Sequence, residues 1–336
     1  NKTGQANVSV GFRALQQDVN SDYNVAVGHE ALYNQNGTNG EAANTAIGYK
    51  AGNSVTTGKK NIFIGRSAGA STTDGDFNIG IGWAALNGNL TSAADGTVAI
   101  GNSAGNAITS APRITAVGSG TAQRLTSTGG DSIAIGFDAL NGTAAGTCQY
   151  NIAIGVYSMN VNQTHVTNNI AVGYNSLRYL AGSGAHGNTA LGSEAGKSIT
   201  NASYNVAIGN GSMGESNSNA VTGDFNTAVG ALSLYNAEGT VNANTVIGYR
   251  AGFGMTTASG SVLVGYQAGD NISTASGSVF IGVDAGGNVE TGNMNIGIGY
   301  NAFHNAATGD NNIAIGVSAM DAATSAYDNV AIGRDA

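Results

Sequence analysis

The side chains that could do chemistry are few and widely separated in this chain. Four histidines, His29, His165, His186 and His304, occur with no two at a metal-ligand spacing. The single cysteine, Cys148, cannot form an internal disulfide and lies in no metal-binding motif. No nucleophile motif accompanies these residues. The sequence therefore predicts no catalytic residue, no metal site and no cofactor, and a protein that is not an enzyme.

Carboxylates lie close together in "TTDGDFN", which holds Asp74 and Asp76, and similar stretches contain Asp224 and Asp310. Oxygen ligands of this kind could bind Ca²⁺, and two acids on either side of a sugar could cleave a glycosidic bond. No EF-hand loop is present and nothing singles out one acid pair. We therefore expect turn aspartates that hydrogen-bond to their own backbone.

A short phrase that repeats along the whole chain must position these residues. It reads Asn, β-branched, small, aliphatic, Gly, and its final Gly recurs 19 times at intervals of 17 to 21 residues. β-Branched residues two apart point to one face of a strand, and the Gly permits a turn. A repeat of this length holds short strands and turns but no helix. Because one repeat cannot bury its apolar face alone, the sequence predicts an all-β parallel β-solenoid, or β-roll, of 19 stacked coils.

The two β-branched columns of the phrase are expected to form the core of this solenoid. Representative core residues in this interpretation are Val8, Val10, Val25, Val27, Ile62, Ile64, Ile152, Ile154, Ile313 and Ile315.

The small residue between them is then expected to face outward, where an uncharged column of Ala indicates close packing against another copy of the chain. The predicted contacts between subunits are Ala26, Ala46, Ala134, Ala153, Ala171, Ala190, Ala207 and Ala314. The alternative is a narrow coil that folds back on itself with Ala inside as well. The Asn column is expected to form a hydrogen-bonded ladder between coils.

An aromatic residue follows the final Gly of the phrase in eight copies. Aromatic rings spaced along a repeat could stack on sugars, or could simply seal the edge of the roll. The candidate ligand surface comprises Tyr49, Trp83, Tyr174, Tyr249, Tyr266 and Tyr300. Insertions in the longer repeats, such as residues 33–43 and 215–224, are expected to form loops on one edge.

The phrases "NVAVG", "NIAIG" and "NTAIG", each followed by a small residue, resemble the head repeats of trimeric autotransporter adhesins. The resemblance covers essentially the whole chain, although these repeats are longer than the family's. "AIGYKAG" and "VLVGYQAG" also resemble repeats of phage tail-fibre-like and bacterial surface proteins. The resemblance implies a left-handed β-roll that associates as a homotrimer.

Composition and charge restrict the partners. The net charge is −8, and the 12 Lys and Arg residues form no cluster in the sequence, which disfavours nucleic acid. No run of apolar residues is long enough for membrane insertion of this segment. We expect one continuous repeat domain, a fragment of a longer chain, with irregular coils over residues 1–247 and regular 17-residue coils over residues 248–336. We expect an extracellular fibre of a cell surface or virion, which attaches to a receptor or glycan; the alternative is a tailspike-like, carbohydrate-binding receptor-recognition protein.

Overall fold

A computed structural model confirms an all-β parallel β-solenoid and describes residues 3–36, 40–125, 130–142, 148–160, 165–182, 184–214, 220–305, 308–322 and 324–336. The chain divides into two compact units, Asn1–Asn168 and Asn169–Ala336. Each coil contributes one three-residue strand at the repeated phrase. In the part of the chain that is described, no helix has the length and apolar character needed to cross a membrane.

The first unit contains a sheet of nine parallel strands, one from each coil. Its strands are β1 (Val8–Val10), β3 (Val25–Val27), β5 (Thr45–Ile47), β6 (Ile62–Ile64), β7 (Ile79–Ile81), β8 (Val98–Ile100), β9 (Thr115–Val117), β10 (Ile133–Ile135) and β11 (Ile152–Ile154). Two further short strands, β2 (Ser21–Asp22) and β4 (Gly40–Glu41), pair with each other. A 3-10 turn at Ser92–Ala94 lies between β7 and β8.

The second unit contains ten parallel strands arranged in the same way. They are β12 (Ile170–Val172), β13 (Thr189–Leu191), β14 (Val206–Ile208), β15 (Thr227–Val229), β16 (Thr245–Ile247), β17 (Val262–Val264), β18 (Val279–Ile281), β19 (Ile296–Ile298), β20 (Ile313–Ile315) and β21 (Val330–Ile332).

Neighbouring coils pair in strict register, so each column of the repeat forms a row. In the second unit, for example, Ala207 of β14 lies opposite Ala190 of β13 and Ala228 of β15. Each three-residue strand is followed directly by a Gly of large positive φ; Gly192, for instance, has φ +137°. Residues with a side chain rarely adopt this conformation, which explains why this column is invariant.

The side chains of each strand face the opposite way from the sequence-based prediction, which placed the large residues inside and the small ones outside. The middle residue of the strand points into the coil, and the β-branched residues on either side of it point outward. Val8 and Val10 in the first coil are 48% and 56% exposed, and the other residues expected in the core are exposed or half-buried. The predicted core assignment of Val8, Val10, Val25, Val27, Ile62, Ile64, Ile152, Ile154, Ile313 and Ile315 is therefore wrong.

The alanine row also faces the opposite side from the predicted one. All eight alanines expected between subunits are fully buried inside the coil, namely Ala26, Ala46, Ala134, Ala153, Ala171, Ala190, Ala207 and Ala314. The physical reason is the small cross-section of the coil. Its interior is filled from the turns by Leu, Ile, Val and Met side chains such as Leu32 and Val55, so the strand can contribute only a small group.

Residue sizes compensate within some coils and between adjacent coils, which shows how closely this interior is packed. Where the strand centre is Phe63, the residue six positions later is Gly69, and a methyl group there would overlap the Phe63 ring. Phe280 and Gly286 repeat the arrangement. In the next coil the order is reversed, with Gly297 at the strand centre and the buried Phe303 six positions later.

The predicted asparagine ladder is present in both units. The Asn205 backbone N–H donates to Oδ1 of Asn188 at 3.0 Å, and its Nδ2 donates to the Gly223 carbonyl at 3.0 Å. Asn205 Oδ1 in turn accepts from the backbone N–H of Asn226 at 2.9 Å. Asn205 therefore joins three coils and satisfies backbone groups that water cannot reach.

We expect Asn205→Ala to destabilise the second unit by about 2–3 kcal/mol, because it leaves the buried Asn226 N–H without an acceptor. Asn205→Ser is the matched control and should cost about 1 kcal/mol less. Ser occupies the same row at Ser261, whose Oγ accepts from the Ser278 N–H at 3.3 Å. Urea unfolding of the two variants measures the difference; equal losses would contradict the ladder's energetic role.

Candidate interaction surfaces

The outward side chains of the strands form one continuous apolar surface in each unit. We define the outer strand face as the first and third residues of every three-residue strand of the two units. Every one of these residues is Ile, Val, Leu or Thr, and none is fully buried. Ile135 and Ile247, for example, are 38% and 40% exposed. An apolar area that extends over nine or ten coils is unusual for a surface that stays in contact with water.

The aromatic residues that follow the strand-ending glycines lie exposed beside this face. Tyr249 and Tyr266 stack on each other across adjacent coils, with ring centroids 5.4 Å apart. In the first unit His29 packs between Phe12, at 5.1 Å, and Tyr49, at 5.2 Å. Rings that cover one another in this way offer sugars mainly their edges. Of the predicted ligand surface, Trp83, Tyr174 and Tyr300 are also exposed, by 53%, 49% and 54%.

A second aromatic column, which the sequence reading missed, precedes the strands. It occupies the position immediately before the Asn or Thr of the phrase and includes Tyr204 and Phe225, which stack at 5.4 Å with nearly parallel rings. Both are more than half exposed. The recurrence of an aromatic residue before the Asn in five copies was a usable signal: Tyr23, Phe77, Tyr150, Tyr204 and Phe225. The outer strand face is thus followed and preceded along the chain by aromatic residues.

Comparison with known proteins does not assign this chain to a family. No protein-family model matches the chain, and no curated protein is similar to it in sequence. The arguments about function therefore depend on these surfaces alone.

The aspartates of the "TGD" type stretches connect neighbouring coils, in contrast to the predicted hydrogen bonds to their own turns. Asp76 Oδ1 accepts the Lys59 backbone N–H at 2.7 Å, and the Asp76 N–H donates to Asp95 Oδ1 at 2.7 Å. Asp224 and Asp310 accept a backbone N–H of the preceding coil in the same way. These carboxylates form a second ladder, in which Oδ1 of each accepts a backbone N–H of the preceding coil.

Asp95 shows the electrostatic cost of such a ladder. Partial burial raises its pKa, the hydrogen bond from the Asp76 N–H opposes this, and the negative charges of Asp76 and Asp74 raise the pKa further. Since the folded-state pKa exceeds the unfolded one, the unfolded chain loses this proton first as the pH rises. The free energy of unfolding therefore falls as the pH rises through the two pKa values of Asp95, and it stays lower at higher pH, where the carboxylate is ionised in both states.

We expect Asp95→Asn to stabilise the protein at pH 7 by about 0.5 kcal/mol, a small effect because solvent screens the site. The amide oxygen can still accept the Asp76 N–H, as Asn242 does from Asp224 at 2.8 Å in the second unit. The gain should vanish near pH 3, where both states are protonated at Asp95. Thermal melts at the two pH values test this; a gain of equal size at pH 3 would contradict it.

The remaining candidate groups stay apart from one another. His186 packs edge-on against Tyr204 at 5.6 Å, and His304 Nδ1 lies 3.0 Å from the Asp284 carbonyl. Cys148 is buried, and burial raises the pKa of its thiol. Across the described ranges, no three His, Cys, Asp or Glu side chains come together as a metal site would require. Residues 37–39 and 215–219 of the predicted loops lie outside the described residues.

Proposed function

We propose that this chain is a structural and adhesive segment of an extracellular or virion-attached fibre, and that copies of it associate through the outer strand face. The observation that carries the proposal is the exposure of apolar rows along the sheet of each unit. Burial of such rows against a partner is favourable in proportion to the apolar area removed from water. A homotrimer around a threefold axis is the simplest assembly.

A second copy of the same chain is the partner that fits this face best. The face carries no charge, so another uncharged face can cover it without burying an unpaired ion. Its rows recur at the coil spacing of about 4.8 Å, and an identical chain carries rows of identical spacing. Exposed aromatic residues follow and precede the strands, and aromatic enrichment is typical of protein interfaces.

The mass in solution tests the proposal. The wild-type chain is expected at three times its monomer mass of 33.3 kDa by light scattering coupled to gel filtration. The double variant Ile154→Lys/Ile208→Lys puts one charge on the face of each unit and should be a folded monomer. A control with the same added charges, Gln16→Lys/Thr257→Lys at exposed positions off the strands, should remain associated.

A wild-type chain that is monomeric at micromolar concentration would refute association through this face. A stable dimer would keep the face as the interface and reject the trimer.

A carbohydrate-binding role is the alternative function, and it would use the aromatic columns. Stacking of Tyr249 on Tyr266 and of His29 on Tyr49 covers ring faces that a neutral sugar would otherwise use. This arrangement favours sealing of the coil edge over binding of neutral saccharides at these rings.

A further inference from the structure

One edge of the first unit gathers positive charge that is dispersed in the sequence. The two positions after each strand-ending Gly carry Phe12 and Arg13, then His29 and Glu30, then Tyr49 and Lys50, then Arg66 in four successive coils. We define these residues as the basic edge. It holds three cations and one carboxylate, a local surplus of two positive charges on a chain of net charge −8.

The backbone holds the basic edge in fixed register. The Glu30 N–H donates to the Phe12 carbonyl at 2.8 Å, and the Lys50 N–H donates to the His29 carbonyl at 2.9 Å. Successive coils therefore place their side chains about 4.8 Å apart along the solenoid.

Glu30 is the innermost charge of the group and positions the cations around it. Its side chain is only 17% exposed and lies 3.5 Å from Arg13 and 3.6 Å from Lys50. Both cations are more than 40% exposed and remain accessible to an external anion.

Aromatic rings lie within cation–π distance of all three cations. The Arg13 guanidinium lies 5.0 Å from the Phe12 ring centroid. Lys50 and Arg66 lie 5.5 Å and 5.7 Å from the Tyr49 ring. This preorganisation lowers the ordering cost of binding an anion.

We infer that the basic edge binds an acidic polysaccharide, whose negative groups recur along an extended chain and meet cations repeated on successive coils. A linear polyanion suits the arrangement because the cations lie along the solenoid axis and form no closed pocket. Since the rings cover one another, charge makes the main contribution and ring edges the lesser one. The inference does not depend on self-association, which involves the outer strand face.

The second unit offers a matched control surface. Tyr249, Arg250 and Tyr266 occupy the same positions after their glycines. Arg250 is the one cation among these three residues, and it is already paired. Its Nη2 lies 3.2 Å from Asp270 Oδ2 and its Cζ 4.0 Å from the Phe253 ring centroid. An aromatic column without surplus charge should not bind the polyanion.

Calorimetry with polygalacturonate, which carries carboxylates, heparin, which carries sulfates, and neutral dextran tests the inference. The wild type should bind one or both polyanions and not dextran. Arg13→Gln/Lys50→Gln/Arg66→Gln should weaken this binding by about 30-fold or more and flatten its salt dependence. Lys197→Gln/Arg250→Gln/Arg334→Gln removes the same charge from the second unit and should bind like the wild type.

Four outcomes would overturn the inference: no binding of either polyanion at low salt, equal binding of dextran, equal weakening in both triple variants, or binding of single-stranded DNA in place of the polysaccharides. Binding of heparin alone would identify sulfated polysaccharides as the ligand class, and binding of polygalacturonate alone would identify polysaccharides of uronic acids. The solution mass of the Arg13→Gln/Lys50→Gln/Arg66→Gln variant should equal that of the wild type. This readout separates failure of the inference from failure of the proposed association.

Discussion

Gly192→Ala is expected to destabilise the second unit by about 4 kcal/mol or more, the range reached only by severe single substitutions. Gly192 has φ +137°, and a Cβ at this position would lie 2.7 Å from the Gly209 carbonyl oxygen of the next coil. Both the backbone conformation and the close approach of coils exclude a side chain. The coils pack only on their neighbours, so the damage should begin locally and then spread.

Gly260→Ala is the matched control for this effect. Gly260 also has a positive φ, +69°, but a Cβ there would meet nothing within 4 Å. Its replacement should cost only about 1–2 kcal/mol, the price of the left-handed conformation. Urea unfolding compares the two variants, and hydrogen exchange of peptides around residue 192 locates the loss. Similar costs would show that inter-coil contact does not restrict the strand-ending position.

The second large effect is expected from Ala207→Lys, which should destabilise the second unit by about 4 kcal/mol or more. Ala207 is fully buried between Ala190 and Ala228 of the adjacent coils. A Lys there must either bury an unpaired charge or force the coil open.

The adjacent substitution Ile208→Lys should change the free energy of unfolding of the monomeric chain by less than about 1 kcal/mol, because Ile208 lies on the outer strand face. Denaturation at concentrations where the chain is monomeric separates this effect from any loss of association. If Ile208→Lys unfolded the chain and Ala207→Lys did not, the inward and outward rows would have to be exchanged again.

The repeat itself made the architecture predictable. A fixed spacing, a strand-ending Gly and two β-branched residues two positions apart leave little choice other than stacked parallel strands. The Asn row was also readable, since an amide in a turn can satisfy the backbone of the next coil. These features depend on local chemistry that repeats in every coil, so the signal is averaged over many copies.

Alternation in a strand separates two faces but does not say which face is inside. Size was an unsafe guide, because the interior of so narrow a coil has room for Ala at the strand and for Leu or Ile from the turns. A better signal was the exchange of size between Phe63 and Gly69, and between Gly297 and Phe303. When a large residue at one position is accompanied by a small residue at the other, both must occupy the same interior space. This pattern indicates that the strand centre lies inside the coil.

The basic edge was hidden for a different reason. Arg13, Lys50 and Arg66 are separated by 37 and 16 residues, so no charge cluster is visible along the chain. In a solenoid, residues one repeat apart are neighbours, and unequal repeat lengths obscure that relation. Charge in such proteins has to be counted by column.

The exchange of size at the strand centre has a consequence for how the molecule can change. In some coils the complementary residue is in the same coil, but Ala46 and Gly52 are both small, and a Cβ at Gly52 would lie 2.9 Å from Leu32 Cδ2 of the preceding coil and 3.2 Å from Phe63 Cδ2 of the next one. Interior volume is therefore shared between adjacent coils. A coil that is duplicated or removed must match the coils on both sides, so recombination is expected to exchange blocks of several coils more readily than single ones.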